Sequence, residues 1–300
     1  METIKIGIGT SSIGRFLPYV GAAAGLFRER DIAVEIINQL DEEKVVEDIV
    51  SGTTPIGTPN APSLIFSKLG GNDLVIIGGI LNRPAFYLAA QPTIASIADL
   101  NAKKVGINQP RRMAGMMMLA LLRRWSFGAQ DLELVDLGLN DRSMEALQAG
   151  DVDAALLPPE KAFLAEAEGF SIIADCNDLE CQWVPLATTR KYLAANRELA
   201  VKIASVYRTS IGFFNSERQA TIDVLGAHLP GLKRQPQVLE KCYSVFAGLF
   251  EPTLTLPLAS LRAVLGEWLG WRGRSRDLAL LLFAAFLSWA GMRAVLGVFA

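Results

Sequence analysis

Histidine is almost missing from this chain. Position 228 holds the single one in 300 residues. A Ser–His–Asp hydrolase would rest on that residue alone, and no G-x-S-x-G elbow supports it. A histidine-based metal site has no ligand set. In "GAHLPGL", beside Leu229 and Pro230, His228 reads as a helix-end residue. Cysteine is scarce too. Cys176, Cys181 and Cys242 fit no zinc spacing. Cys176 and Cys181 could pair across a loop, but the odd count leaves a thiol over, and three buried, inert thiols are the preferred reading. No metal and no cofactor are expected. Charge of one sign is lacking as well: 29 basic residues face 31 acidic ones, for a net charge of −2. Without a polycationic field, nucleic acid is not an expected partner. The N-terminus lacks the basic region and long apolar stretch of a signal peptide; "METIKIGIGTSS" goes straight into an apolar strand.

What is present is ample apolar material. Half of the residues, 51%, are hydrophobic and 20% are charged, enough for a core and for two modest domains. Strand and helix patterns alternate through the first two thirds. Ile4–Ile8 reads as a short buried strand. "YVGAAAGLFRER" is a helix with Pro18 in its first turn. "IAVEII" is a strand, and "DEEKVVEDIVSG" is a helix with an acidic start that Gly52 ends. "NAPSLIFSKLGG" is a helix capped by Asn60, and "DLVIIGGI" is a strand. The pattern then restarts with "AFYLAA", "KKVGI", a helix that opens on two arginines, "LELVDL", "DRSMEALQAG", "VDAALLP", "EKAFLAEAEG" and "FSIIADC". Such interleaving predicts parallel sheets covered by helices. From Arg190 onward the pattern is helical, punctuated by Pro230, Pro236, Pro252 and Pro257.

The C-terminus departs from this plan. Residues Leu278 to Ala300 are apolar apart from Arg293. As a helix rising about 1.5 Å per residue, the segment is long enough for a ~30 Å hydrocarbon layer. Arg272, Arg274 and Arg276 would flank its cytoplasmic end. Two other readings stand beside a membrane helix: a helix packed on the protein, and a tail foreign to the domain, such as a reading-frame change would produce.

One helix start is odd. Arg111 and Arg112 open "RRMAGMMMLALLRRW", although the positive end of the macrodipole favours carboxylates there. An anion held between the guanidinium groups and the free N–H groups would remove the penalty, because helix N-termini and arginine both bind oxyanions. If both arginines point to water, the cost is about 0.3–1 kcal/mol. Met116, Met117 and Met118 in the same helix are read as core packing.

The order of elements resembles the type II solute-binding proteins of ABC importers, and within them the sulfonate/nitrate/taurine and thiamine-pyrimidine-precursor group. "GTSSIGRFLPYVGAAAGLFRERDIAVEI", a helix ending "VSGTTPIG", "IADLNAKKVGINQP" before a helix, and "ALQAGDVDAALLPP" carry the likeness, over roughly Ile4 to Leu265. Leu147–Ala154, L-x-A-G-x-V-D-A, and Ala23–Phe27, ending Gly-Leu-Phe, are recurrent there. Pro55 stands where the group commonly has an acidic residue. The resemblance implies an α/β, two-lobed periplasmic-binding-protein type II fold, each lobe a mainly parallel sheet covered by helices, followed here by a hydrophobic C-terminal helix. Lobe I would comprise residues 1–82 and 187–275, lobe II residues 83–186, and the tail residues 277–300. Ligand would bind between the lobes, on the loops after the strands.

Carried onto this sequence, the resemblance marks Thr10, Ser11 and Ser12 after the first strand, with Arg15 and Phe16 just beyond. It marks Asn60 and Ala61, then Arg111, Arg112 and Met113, then Pro158, Pro159 and Glu160. Arg83, at the first crossing, would add a cation. Ser11 and Ser12 could donate to the ligand or cap the next helix. Phe16 could stack on a flat ligand or pack in the core, and Trp183 is a weaker stacking candidate. Glu160 suits its helix start, and if it faced ligand it could hold an amine or ring N–H. No catalytic residue is expected. The expected function is capture of a small anionic or heteroaromatic solute of sulfonate, nitrate, taurine or pyrimidine-precursor type by a monomeric binding protein, which delivers it to an ABC permease. Lobe closure would follow as a population shift. Two alternatives use the same fold. One is a pyrimidine-precursor synthase-like enzyme; enzymes of that type rely on a histidine and a cysteine-rich stretch, whereas here the one histidine, His228, is expected far from the predicted loops and there is no cysteine cluster. The other is a cytoplasmic ligand sensor. A Rossmann oxidoreductase is disfavoured because Ser12 takes the third glycine position after Gly7 and Gly9. The resemblance implies a periplasmic or membrane-associated extracytoplasmic location, whereas the lack of a signal peptide leaves the cytoplasm open.

Overall fold

The computed structural model describes residues 1–109, 112–128, 130–138 and 142–272. Its elements begin with β1 (Glu2–Ile8), α1 (Leu17–Ala23), β2 (Ile32–Asn38), α2 (Glu42–Ser51), β3 (Ile56–Thr58), α3 (Ala61–Leu69) and β4 (Leu74–Leu81). Next come β5 (Tyr87–Ala90), β6 (Lys104–Ile107), α4 (Met113–Arg124), β7 (Glu133–Asp136), α5 (Ser143–Ala149), β8 (Ala154–Leu157), α6 (Pro159–Ala167) and β9 (Ser171–Asp175). Then β10 (Val184–Thr189) precedes α7 (Arg190–Ala195), α8 (Arg197–Ser216), α9 (Arg218–His228), α10 (Pro230–Lys233), α11 (Pro236–Leu249) and α12 (Leu258–Arg272).

The chain divides into two units. Unit 1 holds Met1–Asn82, Glu180–Arg234 and, among the described residues, 246–272; unit 2 holds Arg83–Leu179 and Gln235–Val245. Each has its own five-stranded sheet. Unit 1 has the order β2-β1-β3-β10-β4, and unit 2 the order β7-β6-β8-β5-β9. In unit 1 β1 is parallel to β2 and β3, while β10 runs antiparallel to β3 and β4. Unit 2 repeats the plan. There β6 is parallel to β7 and β8, and β5 runs antiparallel to β8 and β9. Each sheet is therefore mainly parallel, with one reversed strand in the fourth place.

The reversed strand of unit 1 departs from the sequence reading, which places no strand at Val184–Thr189. Pro185 argues against a central strand because it has no N–H for the ladder. The structure accommodates it with a register shift between Val184 and Pro185, the bulge that such a residue needs. Because all of β10 belongs to the unit 1 sheet, the chain enters unit 1 at Glu180, ahead of the expected boundary at 186/187. The helical return is also divided. Gln235–Val245, most of α11, belongs to unit 2, where Lys241 pairs with Glu166 of α6 and its ammonium lies 4.4 Å from the Phe163 ring centroid.

Local chemistry explains where the helices start and stop. Asp41 caps α2 by accepting from Glu43 and Lys44 N–H, and Gly52, at φ 82°, ends it in the left-handed region. Asn60 caps α3 by accepting from Ser63 N–H. Pro18 sits in the first turn of α1, where its missing N–H costs nothing. That helix stops at Ala23, short of the expected Arg30; Gly25, at φ 76°, turns the chain into a separate 3-10 turn at Arg28–Arg30. Met116, Met117 and Met118 are buried. Among the described residues no helix is long and apolar enough to cross a membrane. The readings of Leu278 to Ala300, as a membrane helix, a packed helix or a foreign tail, lie outside the described residues.

Candidate functional site

In an open sheet of parallel strands, ligands sit beyond the carboxyl ends, where strands give way to helix N-termini. In unit 1 these are the loops after β1 and β3. Gly9, Thr10, Ser11 and Ser12 follow β1 and lead into a 3-10 turn at Ile13–Arg15. Thr10 and Ser11 are exposed, and Ser11 Oγ accepts from Asn38 Nδ2 at 2.9 Å. Ser12 is buried and precedes the turn without a side-chain cap bond. Asn60 and Ala61 follow β3. Both are buried, and Ala61 N–H donates to the Trp183 carbonyl at 3.0 Å.

One carboxylate joins the two loops. Glu42, the first residue of α2, is 3% exposed. Its Oε1 is 2.7 Å from Arg15 Nη2, and its Oε2 accepts from Asn60 N–H at 2.7 Å. Thr10 donates to Oε1 through its N–H at 3.4 Å and its hydroxyl at 3.5 Å. No local feature of the sequence points to this. Glu42 and Glu43 both suit a helix start, and nothing in the spacing tells which one turns inward. In the sequence Arg15 stands only as a neighbour of the first loop. It is buried beside Trp183, with its guanidinium carbon 5.8 Å from the ring centroid.

The aromatic candidates of unit 1 face inward. Phe16 is buried and packs edge-on to Tyr19 at 5.3 Å and to His228 at 6.0 Å. His228 stacks on Tyr19 at 3.9 Å. This corrects the reading that His228 is remote from the predicted loops: although distant in sequence, α9 packs on α1 and brings its ring to Phe16. Burial lowers the His228 pKa. Trp183 is buried and stacks on Phe246 at 6.2 Å.

In unit 2 the corresponding loops follow β6, β7 and β8. Arg112 is the N-cap of α4, with extended backbone and no capping side chain, and the first turn of α4 carries no acid. Its side chain is half-buried, and Met113 is buried. Arg111 lies outside the described residues. Asn108, at the end of β6, accepts from Ser143 Oγ of α5 at 2.8 Å, a link the sequence reading missed because the partners are far apart in the chain. After β8, Pro158 occupies the N-cap position of α6 without a capping side chain, and Pro159 and Glu160 open the helix. Pro159 and Glu160 are both buried, and the Glu160 charge helps to raise the pKa of Cys242 on α11, after burial itself. Arg83, the first residue of unit 2, is exposed.

The structure thus brings Thr10, Ser11, Ser12, Asn60 and Ala61 to the carboxyl end of one sheet, and Arg112, Met113, Pro159 and Glu160 to that of the other. Of these, Thr10 and Ser11 are exposed and carry hydroxyls, and Arg112 is half-buried and carries a charge. The three thiols are all buried. Burial pushes Cys181 up to about 12 and raises Cys242, so these sulfurs stay protonated and poor as nucleophiles.

Solved structures share the fold. The alkanesulfonate-binding protein SsuA from Xanthomonas axonopodis pv. citri, bound to MOPS, aligns with a TM-score of 0.74 at 17% identity, covering 91% of this chain and 94% of that one. The periplasmic aliphatic sulphonate binding protein SsuA from Escherichia coli aligns with a TM-score of 0.73 at 18% identity, covering 91% and 88%. An enzyme has the fold too. A cysteine-to-serine mutant of DszB in complex with biphenyl-2-sulfinic acid aligns with a TM-score of 0.68 at 13% identity, covering 91% and 92%. Comparison with curated protein sequences gives no significant match. The family model described as NMT1/THI5 like matches residues 16–219. With more than half of the chain matched, and with two five-stranded sheets of the same strand order behind it, this protein belongs to the NMT1/THI5-like family and has the type II periplasmic-binding-protein fold.

Proposed function

We propose that this protein is a non-catalytic solute-binding protein that captures a small anionic or heteroaromatic solute and passes it to an ABC permease. The observation that carries this reading is the chemistry of the strand-end loops. The hydroxyls of Thr10 and Ser11 in unit 1, and Arg112 at the uncapped start of α4 in unit 2, supply hydrogen-bonding groups and a cation, whereas the thiols are buried, and burial raises Cys181 and Cys242. Such a set recognises polar groups and needs no covalent step. The sulfonate-binding proteins that share the fold support a transport role, and the one from Escherichia coli is periplasmic, which favours a periplasmic or extracytoplasmic site of action. A cysteine-dependent enzyme is disfavoured, because all three thiols are buried and burial raises Cys181 and Cys242.

The test is a thermal-shift panel of aliphatic sulfonates, nitrate, taurine, aromatic acids and aminopyrimidines on the full chain. A ligand bound only by the folded form raises the midpoint, by RT ln(1 + [L]/Kd) in free energy. We expect one class to raise it saturably, and Arg112→Ala to weaken any anionic hit by about tenfold, the loss of one charge-assisted hydrogen bond. A panel with no saturable hit would overturn the binding role.

A further inference from the structure

Four donor groups converge on one carboxylate inside unit 1. Arg15 Nη2 lies 2.7 Å from Glu42 Oε1 and Asn60 N–H donates to Oε2 at 2.7 Å. The Thr10 N–H and hydroxyl face Oε1 at 3.4 and 3.5 Å. The carboxylate lies over Gly9 so closely that a Cβ there would come within 2.5 Å of both oxygens. The backbone has therefore left room for the anion. Arg15 is 2% exposed, and its Nε has no hydrogen-bond partner among the described residues. Asn60 is also the N-cap of α3, so its N–H lies at the positive end of a nine-residue helix.

Backbone N–H groups from two loops, a hydroxyl and a guanidinium, gathered above a glycine at a helix N-terminus, are the parts of an oxyanion-binding site. In this molecule the anion belongs to the chain itself. We infer that Glu42 is an internal anion: it fills an oxyanion site built into unit 1 and withholds it from anionic solutes. The Arg15 charge is spent on Glu42, so unit 1 meets a solute with the exposed hydroxyls of Thr10 and Ser11 and no free cation from this cluster. That consequence, a preference in unit 1 for a neutral, hydrogen-bonding part of the solute, rests on the solute-binding reading. The occupancy of the site by Glu42 does not.

Chemical rescue tests it. Glu42→Ala removes the γ-methylene and the carboxylate, the atoms that acetate replaces. Full-length wild type, Glu42→Ala and Glu42→Gln would be melted in rising acetate and methanesulfonate, against sodium chloride at equal ionic strength. We expect the Glu42→Ala midpoint to rise saturably with acetate, by about 2–4 °C at ten times the dissociation constant. Wild type and Glu42→Gln, whose site is filled, should move no more than in chloride. If Glu42→Ala does not fold on expression, its refolding yield in acetate and in chloride gives the same comparison. Equal response to acetate and chloride, in either format, overturns the inference, and so does an equal acetate response from wild type. The solute panel on wild type is read separately. Acetate rescue without any panel hit keeps the built-in site and sinks the transport reading, and a panel hit without rescue does the reverse.

Discussion

In unit 1 a buried carboxylate ties the loops after β1 and β3, whereas in unit 2 the loop after β6 rests on a glycine and a hydroxyl. The two sheets have the same strand order and the same reversed fourth strand, so their strand-end loops face the same mechanical demand. Unit 1 meets it with charge: Glu42 joins Arg15, Thr10 and Asn60. Unit 2 meets it with close approach and neutral bonding. A Cβ on Gly115 of α4 would lie 2.3 Å from the Gln109 carbonyl oxygen and 2.4 Å from that of Asn108, and Ser143 donates to Asn108. A charged tie is costly to desolvate and fails badly when one partner is lost. A tie made by close approach fails when an atom is added. The comparison teaches that the same topology can be secured by opposite means, with opposite sensitivities to mutation.

The largest effect should come from splitting the charged tie. Arg15→Ala leaves Glu42 buried without its cation and should cost about 3–5 kcal/mol in urea unfolding. The Arg15→Ala, Glu42→Ala pair together should cost less than the sum of the two, because they act as one unit. Additive losses would mean that the two groups are not coupled. The unit 2 tie should be broken best by adding, not removing. Gly115→Ala drives a methyl group into backbone oxygens and should destabilise by about 1–3 kcal/mol, the range for overpacking; an unchanged urea midpoint would show that the loop gives way freely. Smallest of all, Ser143→Ala deletes one neutral hydrogen bond to Asn108. Its expected cost is about 0.5–1.5 kcal/mol, and a loss as large as that of Arg15→Ala would erase the contrast between the units.

Much of the fold was legible in the sequence for simple reasons. Strand and helix periods alternate cleanly from Ile4 to Cys176, and caps such as Asp41 and Asn60 act within three residues of where they stand. Val184–Thr189 escaped because Pro185 contradicts a central strand locally, and only its neighbours β3 and β4 hold it there. The division of α11 escaped as well, since nothing in "QPQVLEKCYSVFAGLF" says which unit its faces will meet. Among the loop residues, Thr10, Ser11, Asn60 and Arg112 follow from strand ends and the family likeness. The inward turn of Glu42 does not, because its partners lie 18 to 32 residues away in the chain.

What is local or compositional can be read along the chain. This covers the α/β alternation, the helix ends at Gly52 and Asn60, the burial of the methionine run, and the scarcity of histidine and cysteine that turns the reading from catalysis to binding. The tertiary structure alone decided which of two adjacent glutamates enters the core, which proline-containing segment becomes a central strand, and that His228 meets Phe16. The physical reason is the same in each case. Dihedral preference, capping and periodicity act over a few residues, whereas burial of a charge, completion of a sheet and ring packing depend on partners that only folding brings together.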